Sequence, residues 1–123
     1  MVCRAVRGAI TVEENSPEAI YEGARTLLTA MQENNGFEVG ELVSVTFTAT
    51  ADLDAAYPAV SAREMGWTEI PLLCMQEMAV KGSLARCIRV LVHWNTDRSP
   101  TQIRHLYLRG AEVLRPDLVG GRQ

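Results

Sequence analysis

The sequence has few of the residues that build disulfide frameworks, metal centres or cofactor sites. Its 123 residues include three cysteines and two histidines. The odd number of cysteines and the lack of a CxxC pair argue against a disulfide framework and against a zinc site. No glycine pattern of the Walker or dinucleotide-binding type is present. The sequence therefore predicts a protein that works without a metal or a bound cofactor.

Lysine and long apolar runs are also scarce. Among the 12 basic residues Lys81 is the sole lysine, and the net charge is -3. This acidic balance argues against a nucleic-acid surface. No apolar run approaches the roughly 18 residues needed to span a bilayer, and the N-terminal residues lack the apolar core of a signal peptide. We expect a cytoplasmic protein without nucleic-acid or membrane partners.

Apolar residues are abundant enough for one ordinary core, at 47% of the chain. This length fits a single domain, residues 1–123, with a flexible tail from about residue 116. Apolar periodicity predicts the order strand, helix, strand, short helix, extended segment, strand, strand. The order indicates an α+β fold of α/β-like character, in which a mixed β-sheet packs against helices.

The first strand and the first helix carry clear signals. Residues 3–12 are rich in β-branched side chains and predict a strand, in which Gly8 allows a bulge or a close approach of backbone and ligand. Ser16 caps a helix with Pro17 at its first position, and the helix is expected to end near Gly36. Its apolar stripe comprises Ile20, Ala24, Leu27, Leu28 and Met31.

The later elements follow from alternation and from chain breakers. Alternation over residues 42–50 predicts a half-buried strand. A short helix over residues 59–65, an extended segment over 72–78 and a last strand over 103–108 complete the pattern. The inward side chains predicted for the half-buried strand are Val43, Val45, Phe47 and Ala49.

Two pairs of side chains in the middle of the chain receive structural interpretations. Asp52 and Asp54 resemble paired carboxylates for acid–base chemistry, but they lie in a turn before a proline and are interpreted as helix caps. Met75 and Met78 are interpreted as side chains that fill gaps in the core. Neither pair is therefore expected to carry proton transfer.

Arg89 stands out because it lies inside the most apolar segment of the protein. Residues 87–94 read CIRVLVHW, a pattern apolar on both faces that predicts a strand covered on both sides. An unpaired charge buried there would cost several kcal/mol or more. The partner of Arg89 is either Glu77 or an anion that is not part of the protein, and the pattern alone leaves both open.

Other candidates for an anion site are mostly arginines. Arg7, Arg63 and Arg115 offer a fixed fork of donors that matches a carboxylate, and Tyr107 is a candidate neutral donor. No Cys/His pair is apparent, so covalent catalysis is not indicated. The inventory points to an electrostatic grip on an anion.

Five segments, in order and with consistent spacing, resemble the AroH-type chorismate mutases. The resemblance runs almost end to end, and five motifs in order are far more specific than any one of them. The segments are RAVRGAITVE at 4–13, CMQEM at 74–78, CIRV at 87–90, TDRSPTQIRHLYL at 96–108 and VLRPDL at 113–118.

This resemblance implies a reaction and an assembly. The reaction is the Claisen rearrangement of chorismate to prephenate, on the branch towards phenylalanine and tyrosine, without a cofactor. The assembly is a homotrimer whose sheets form a pseudo-α/β-barrel, with three active sites at the subunit interfaces. Neither the trimer nor its shared sites follow from periodicity.

The resemblance also implies roles for individual residues. Arg89 would bind the ether oxygen as negative charge develops on it, Arg7 and Tyr107 would hold carboxylates, and Glu77 would bind the ring hydroxyl. The wall of the pocket would comprise Leu73, Cys74, Met75, Gln76 and Glu77. The neighbouring chain would contribute Tyr57, Ala59 and Arg63, and the tail would close the site with Leu114 and Arg115.

Two departures and two alternatives accompany this interpretation. Val60 stands where family members often carry lysine, and Tyr57 stands where phenylalanine is usual, so the rim of the pocket differs. One alternative is a non-catalytic trimeric module that binds carboxylates. The other is an imine hydrolase of the RidA-like group, against which the CMQEM and IRHLYL motifs argue.

Overall fold

The computed structural model describes residues 1–114, and the predicted order of elements is confirmed. The predictions for Arg115 and for a flexible tail lie outside these residues. Within them, no helix is long and apolar enough to cross a membrane. The elements are β1 (Val2–Thr11), α1 (Pro17–Asn35), β2 (Leu42–Ala49), α2 (Ala59–Glu64), β3 (Leu72–Gln76), β4 (Cys87–Thr96) and β5 (Leu106–Leu108), with 3₁₀ turns at Val39–Glu41, Pro100–Gln102 and Arg109–Leu114.

The five strands form one mixed sheet in the order β3-β2-β4-β1-β5. The central strand β4 is antiparallel to both β2 and β1. The edge strands are parallel to their neighbours, β3 to β2 and β5 to β1. The predicted α+β fold with a mixed sheet is therefore confirmed.

Helix α1 packs on one face of the sheet, which we call the inner face. The Ser16 hydroxyl accepts a hydrogen bond from the Ala19 amide at 3.1 Å, and Gly36 ends the helix at a left-handed φ of 75°. Both boundaries are as predicted from capping preferences. All five side chains of the predicted stripe are buried, namely Ile20, Ala24, Leu27, Leu28 and Met31.

Gly8 serves the contact between α1 and β1. The pairing of β1 with β4 runs without a break through Gly8, so the bulge allowed at this position is absent. A Cβ at residue 8 would lie 2.5 Å from the Met31 sulfur and 3.1 Å from Leu27 Cδ1. The glycine is thus explained by the approach of the helix.

The bulge lies instead in β2. Leu42 pairs with Trp94 and Ser44 with His93, which leaves Val43 as the extra residue. Leu42 is therefore buried at 9% exposure, whereas Val43 is 43% exposed. The prediction that Val43 faces the core is wrong, because a bulge shifts the alternation by one residue.

The outer face of the sheet is only partly covered within one chain. On β4 the inner-facing side chains are buried, while Arg89, Leu91 and His93 on the outer face are half-buried. The prediction of a strand covered on both sides therefore holds for the inner face alone. A small apolar cluster covers one end of the outer face, formed by Ala9, Cys87, Tyr107 and Ala111 with Leu84 and Leu114 packed against it.

The last strand is shorter than predicted, since residues 103–105 precede it. The Asn35 side chain donates to the Arg104 carbonyl at 2.9 Å and accepts from the Arg104 amide at 2.8 Å. A buried side chain at the end of α1 thus takes the place of a neighbouring strand here. Pairing with β1 begins only at Leu106.

Two further interpretations are corrected. Met75 and Met78 are 50% and 76% exposed, so within one chain they do not fill the core. Asp52 accepts hydrogen bonds from the Arg86 amide, in a loop and not at a helix end. Helix α2 begins after Pro58 with no side-chain cap.

Candidate active site

One row of paired residues crosses all five strands on the outer face. Thr48 of β2 stands opposite both Met75 of β3 and Arg89 of β4. Ala9 of β1 stands opposite Arg89 on one side and Tyr107 of β5 on the other. Directly opposed residues share a face of the sheet, so strands distant in sequence bring these side chains together.

A cavity of about 290 Å³ lies over this row. Four of the residues singled out from the sequence line it together, namely Arg7, Glu77, Arg89 and Tyr107. Met75 lines it as well. We call this the arginine cavity.

Glu77 lines the arginine cavity and is held by two neighbouring residues. Its Oε1 accepts a hydrogen bond of 2.6 Å from the Thr48 hydroxyl. The same oxygen lies 3.4 Å from Nε of Arg89. The Glu77 main chain is fixed too, because its amide donates to the Ala49 carbonyl at 2.9 Å.

Arg89 therefore has Glu77 as a neighbour but retains donors. Its Nε is buried and makes no hydrogen bond to any of residues 1–114. The side chains of Arg89 and Glu77 are 28% and 22% exposed, so the pair faces the cavity and is not sealed in the core. The guanidinium is thus placed to bind a second anionic or polar group.

Tyr107 presents a second buried donor without a partner. The residue is 6% exposed, and its hydroxyl makes no hydrogen bond within the described part of the chain. Buried hydroxyls in folded proteins normally have a partner. Together with Arg89, it makes the arginine cavity a candidate site for a ligand with oxygen acceptors.

A larger cavity of about 520 Å³ lies on the other side of β3. Tyr57, Cys74 and Gln76 line it, and Met75 borders both cavities. The predicted site residues that line these two cavities thus fall into two groups, on either side of an edge strand. Within one chain the structure does not join them.

A family model described as chorismate mutase type I matches residues 3–118. The chain belongs to the chorismate mutase type I family. It is 53% identical over 116 residues to chorismate mutase AroH of Thermus thermophilus. The aligned region covers 94% of this chain and 95% of that protein. Against chorismate mutase AroH of Bacillus subtilis (strain 168) the identity is 44% over 119 residues, 96% of this chain and 94% of that protein.

A solved structure of a chorismate mutase from Clostridium thermocellum has a similar fold. Its TM-score is 0.88 at 50% identity, and the match covers 89% of this chain and 98% of that one. The resemblance inferred from the five motifs is confirmed. The match favours a chorismate mutase over the RidA-like hydrolase.

The remaining residues predicted for the site of this chorismate mutase differ in their exposure to solvent. Arg63 is exposed on α2, and Leu73 is 57% exposed on β3. Ala59 is 4% exposed and belongs to the core. Leu114 packs against the cluster around Tyr107. Arg115 lies outside the described residues.

Thr48 is the contact that the sequence did not single out. Alternation placed Thr46 and Thr48 on the polar face of β2, and both line the arginine cavity. The signal was present as a run of threonines. The role of Thr48 could not be predicted without the strand register, which sets Thr48 opposite Arg89.

Cys87 is the one buried thiol beside the arginine cavity. Burial raises the pKa of the Cys87 thiol, and the nearby Arg89 guanidinium offsets only part of that rise. The thiol therefore stays protonated at neutral pH and is a poor nucleophile. In this chorismate mutase it packs as a small apolar residue.

Proposed function

We propose that this chorismate mutase rearranges chorismate to prephenate in the arginine cavity, without a cofactor. The observation that carries the proposal is the pair of buried donors, Arg89 Nε and the Tyr107 hydroxyl, which make no hydrogen bond to residues 1–114, although Glu77 Oε1 lies 3.4 Å from the Nε. A buried donor without a partner is costly unless a ligand satisfies it.

The charges of the arginine cavity suit the substrate. Arg7 and Arg89 contribute two positive charges and Glu77 one negative charge. Chorismate is a dianion with one ring hydroxyl. In our proposal Arg7 and Tyr107 hold its carboxylates, and Glu77, oriented by Thr48, accepts the hydrogen bond of the ring hydroxyl.

The reaction requires that the site hold the substrate in one conformation and stabilise the negative charge that develops. A sigmatropic rearrangement breaks a C–O bond and forms a C–C bond in one step, with no acid, base or nucleophile. Holding the substrate in the compact reactive conformer supplies part of the acceleration. Arg89 supplies donors to the ether oxygen, where negative charge develops as the bond breaks.

We also propose that the site is completed between subunits of a homotrimer. The second cavity, with Tyr57 and Cys74, lies across β3 from the arginine cavity. Large apolar side chains are exposed near this edge, namely Tyr57, Leu73, Met75, Met78 and Val80. Such exposure is typical of a surface that another protein covers. The neighbour would bring Tyr57, Ala59 and Arg63 to the arginine cavity, and Leu114 and Arg115 would close it.

The direct test is the fall in ultraviolet absorbance of chorismate on adding the purified protein after treatment with a chelator. We expect turnover under these conditions and a scattering mass of three chains. Absence of turnover in a trimeric, folded preparation would favour the non-catalytic carboxylate-binding module. A mass of one chain with full turnover would contradict the shared site.

A further inference from the structure

Arg86 has an unusual backbone three residues before Arg89. Its φ is 47°, in the left-handed region that residues other than glycine rarely adopt. Such conformations persist where the surroundings hold them, and they cluster near functional sites. At Arg86 the chain leaves the exposed loop after β3 and enters β4.

Asp52 holds this residue in place. Its two carboxylate oxygens accept hydrogen bonds of 3.2 and 3.0 Å from the Arg86 amide. The Arg86 side chain donates to the Val12 carbonyl at 3.2 Å, and the Arg86 carbonyl accepts from the Val12 amide at 2.9 Å. The amide and the carbonyl of Arg86 are therefore both hydrogen-bonded to other segments.

Thr50 links Asp52 to β4 itself. The Thr50 hydroxyl donates to Asp52 and accepts from the Cys87 amide at 3.0 Å. The Thr50 amide donates to the Cys87 carbonyl at 3.0 Å. These bonds extend the β2–β4 pairing beyond its last regular pair, Ala49 and Ile88. We call the three residues Thr50, Asp52 and Arg86 the clasp.

The clasp lies beside Arg89 and Glu77, two of the three charged groups of the arginine cavity. Cys87 is two residues from Arg89, and Ala49, next to Thr50, accepts the Glu77 amide. A shift of one residue in β4 would turn Arg89 to the inner face, since the period of a strand is two. The hydrogen bond from Thr50, and then that from the Arg86 main chain, holds the pKa of Asp52 below its usual range. The carboxylate is therefore ionised at neutral pH.

We propose that Asp52 is a positioning residue for the rearrangement, because the clasp sets the register and direction in which Arg89 enters the arginine cavity. This inference rests on the role proposed above for Arg89. Because Asp52 is exposed, its hydrogen bonds contribute little to global stability. A displacement of about 1 Å at a reacting centre, by contrast, can cost up to about 100-fold in rate.

The test compares kcat, KM and melting temperature in variants of the full chain. Asp52→Ala and Thr50→Val are each expected to lower kcat about tenfold with KM changed less than about threefold, the pattern of a contact made in the transition state. Thr50→Ser keeps the hydroxyl and should restore kcat. The matched control is Asp97→Asn, which removes a carboxylate paired with the N-terminal amine just beyond the far end of β4.

A measurement without substrate separates positioning from simple structural support. The Nε–H signal of Arg89 in a ¹⁵N correlation spectrum is assigned by its loss in Arg89→Lys. We expect faster exchange of this proton with water in Asp52→Ala and Thr50→Val, and no change in Asp97→Asn. Should Asp52→Ala fail to fold, Thr50→Val carries the same test.

The outcomes distinguish the two proposals. Full activity in Arg89→Ala would overturn the role of Arg89 and the clasp proposal with it. Loss of activity in Arg89→Ala, with unchanged kcat and an unchanged Nε–H signal in Asp52→Ala and Thr50→Val, would overturn the clasp proposal alone. A fall in melting temperature without a fall in kcat would show that the clasp is only structural.

Discussion

Arg89 shows how far a single residue can be interpreted from sequence. Its place in an apolar strand predicted a partner, and the structure puts Glu77 3.4 Å from its Nε. That oxygen already accepts a short hydrogen bond from Thr48. Glu77 and an external anion were alternatives in the sequence, yet the geometry allows both at once.

Tyr107→Phe tests the second buried donor. Removing a buried hydroxyl that has no partner in residues 1–114 should leave the melting temperature unchanged or slightly higher. If the hydroxyl binds a carboxylate of the substrate, KM should rise about tenfold or more, since hydrogen bonds to charged groups contribute about 1.5–3 kcal/mol. Steady-state kinetics and thermal unfolding of the same preparations provide both numbers.

The opposite pair of results would contradict this assignment. A melting temperature several degrees lower with an unchanged KM would mean that the hydroxyl stabilises the fold.

At the scale of elements, α1 packs closely at Gly23 against Val12, the residue that follows β1. A Cβ at Gly23 would lie 2.4 Å from Cγ1 of Val12. Alanine is favoured over glycine inside a helix by about 1 kcal/mol, whereas overpacking costs about 1–3 kcal/mol. We expect Gly23→Ala to lower the free energy of unfolding, because a β-branched neighbour has little freedom to move.

A double-mutant cycle checks the cause. In a Val12→Ala background the cost of Gly23→Ala should disappear, or the substitution should stabilise. Urea unfolding at one fixed protein concentration measures all four proteins. An equal cost in both backgrounds would rule out the proposed clash.

A second prediction at this scale concerns the start of the 3₁₀ turn after β5. Arg109, at a φ of 55°, donates to both carboxylate oxygens of Glu22 on α1, at 3.0 and 2.8 Å. The hydrogen bond from Arg109, and then that from Thr26, lowers the pKa of Glu22 from 4.5. Because the folded pKa lies below the unfolded one, the stabilisation is present above pH 4.5 and is lost as pH falls through the folded value.

Glu22→Gln should therefore be less stable than the parent at neutral pH, by no more than about 1 kcal/mol for so exposed a pair. The difference should vanish on acidification. Melting temperatures across pH measure it, with Glu33→Gln on the same helix as the control. A difference that persists below the folded pKa would exclude this ion pair as its cause.

The elements themselves were largely predictable, and their exceptions have local causes. Capping by Ser16 and termination at Gly36 follow from short-range chemistry. The exposure of Val43 depends on a bulge, and the late start of β5 depends on the Asn35 side chain. Both depend on which residues pair across the sheet, and the periodicity of one segment carries no information on its pairing partners.

At the scale of the whole molecule, the residues of the candidate site could be predicted from the sequence. Their separation into two cavities could not. Arg7, Glu77, Arg89 and Tyr107 meet in one cavity, while Tyr57 lines another. Met75, predicted to fill the core, is 50% exposed, because alternation in one chain does not separate a core side chain from one on an open face. The trimer and the cytoplasmic location stay predictions.

Hybrid assemblies test the shared site. Arg89→Ala and Arg63→Ala each remove one side of the proposed interface. Co-expressed as two tagged chains and purified through both tags, they should recover about a third of the parent activity, because roughly one of the three interfaces in each mixed trimer combines two intact sides. Each variant alone is the control. Activity no higher than that of the two separate variants would place Arg63 outside the neighbour's site.

The most direct measurement of the central claim is kcat for Arg89→Ala, made on protein whose mass and melting temperature match those of the parent. Loss of one pre-placed donor costs about 2.7–4 kcal/mol in sites of this type, or about 100- to 1,000-fold in kcat. Arginine offers several donors and a charge, so we expect a fall of at least about 100-fold. A kcat within about twofold of the parent would contradict the assignment of Arg89 to the breaking C–O bond.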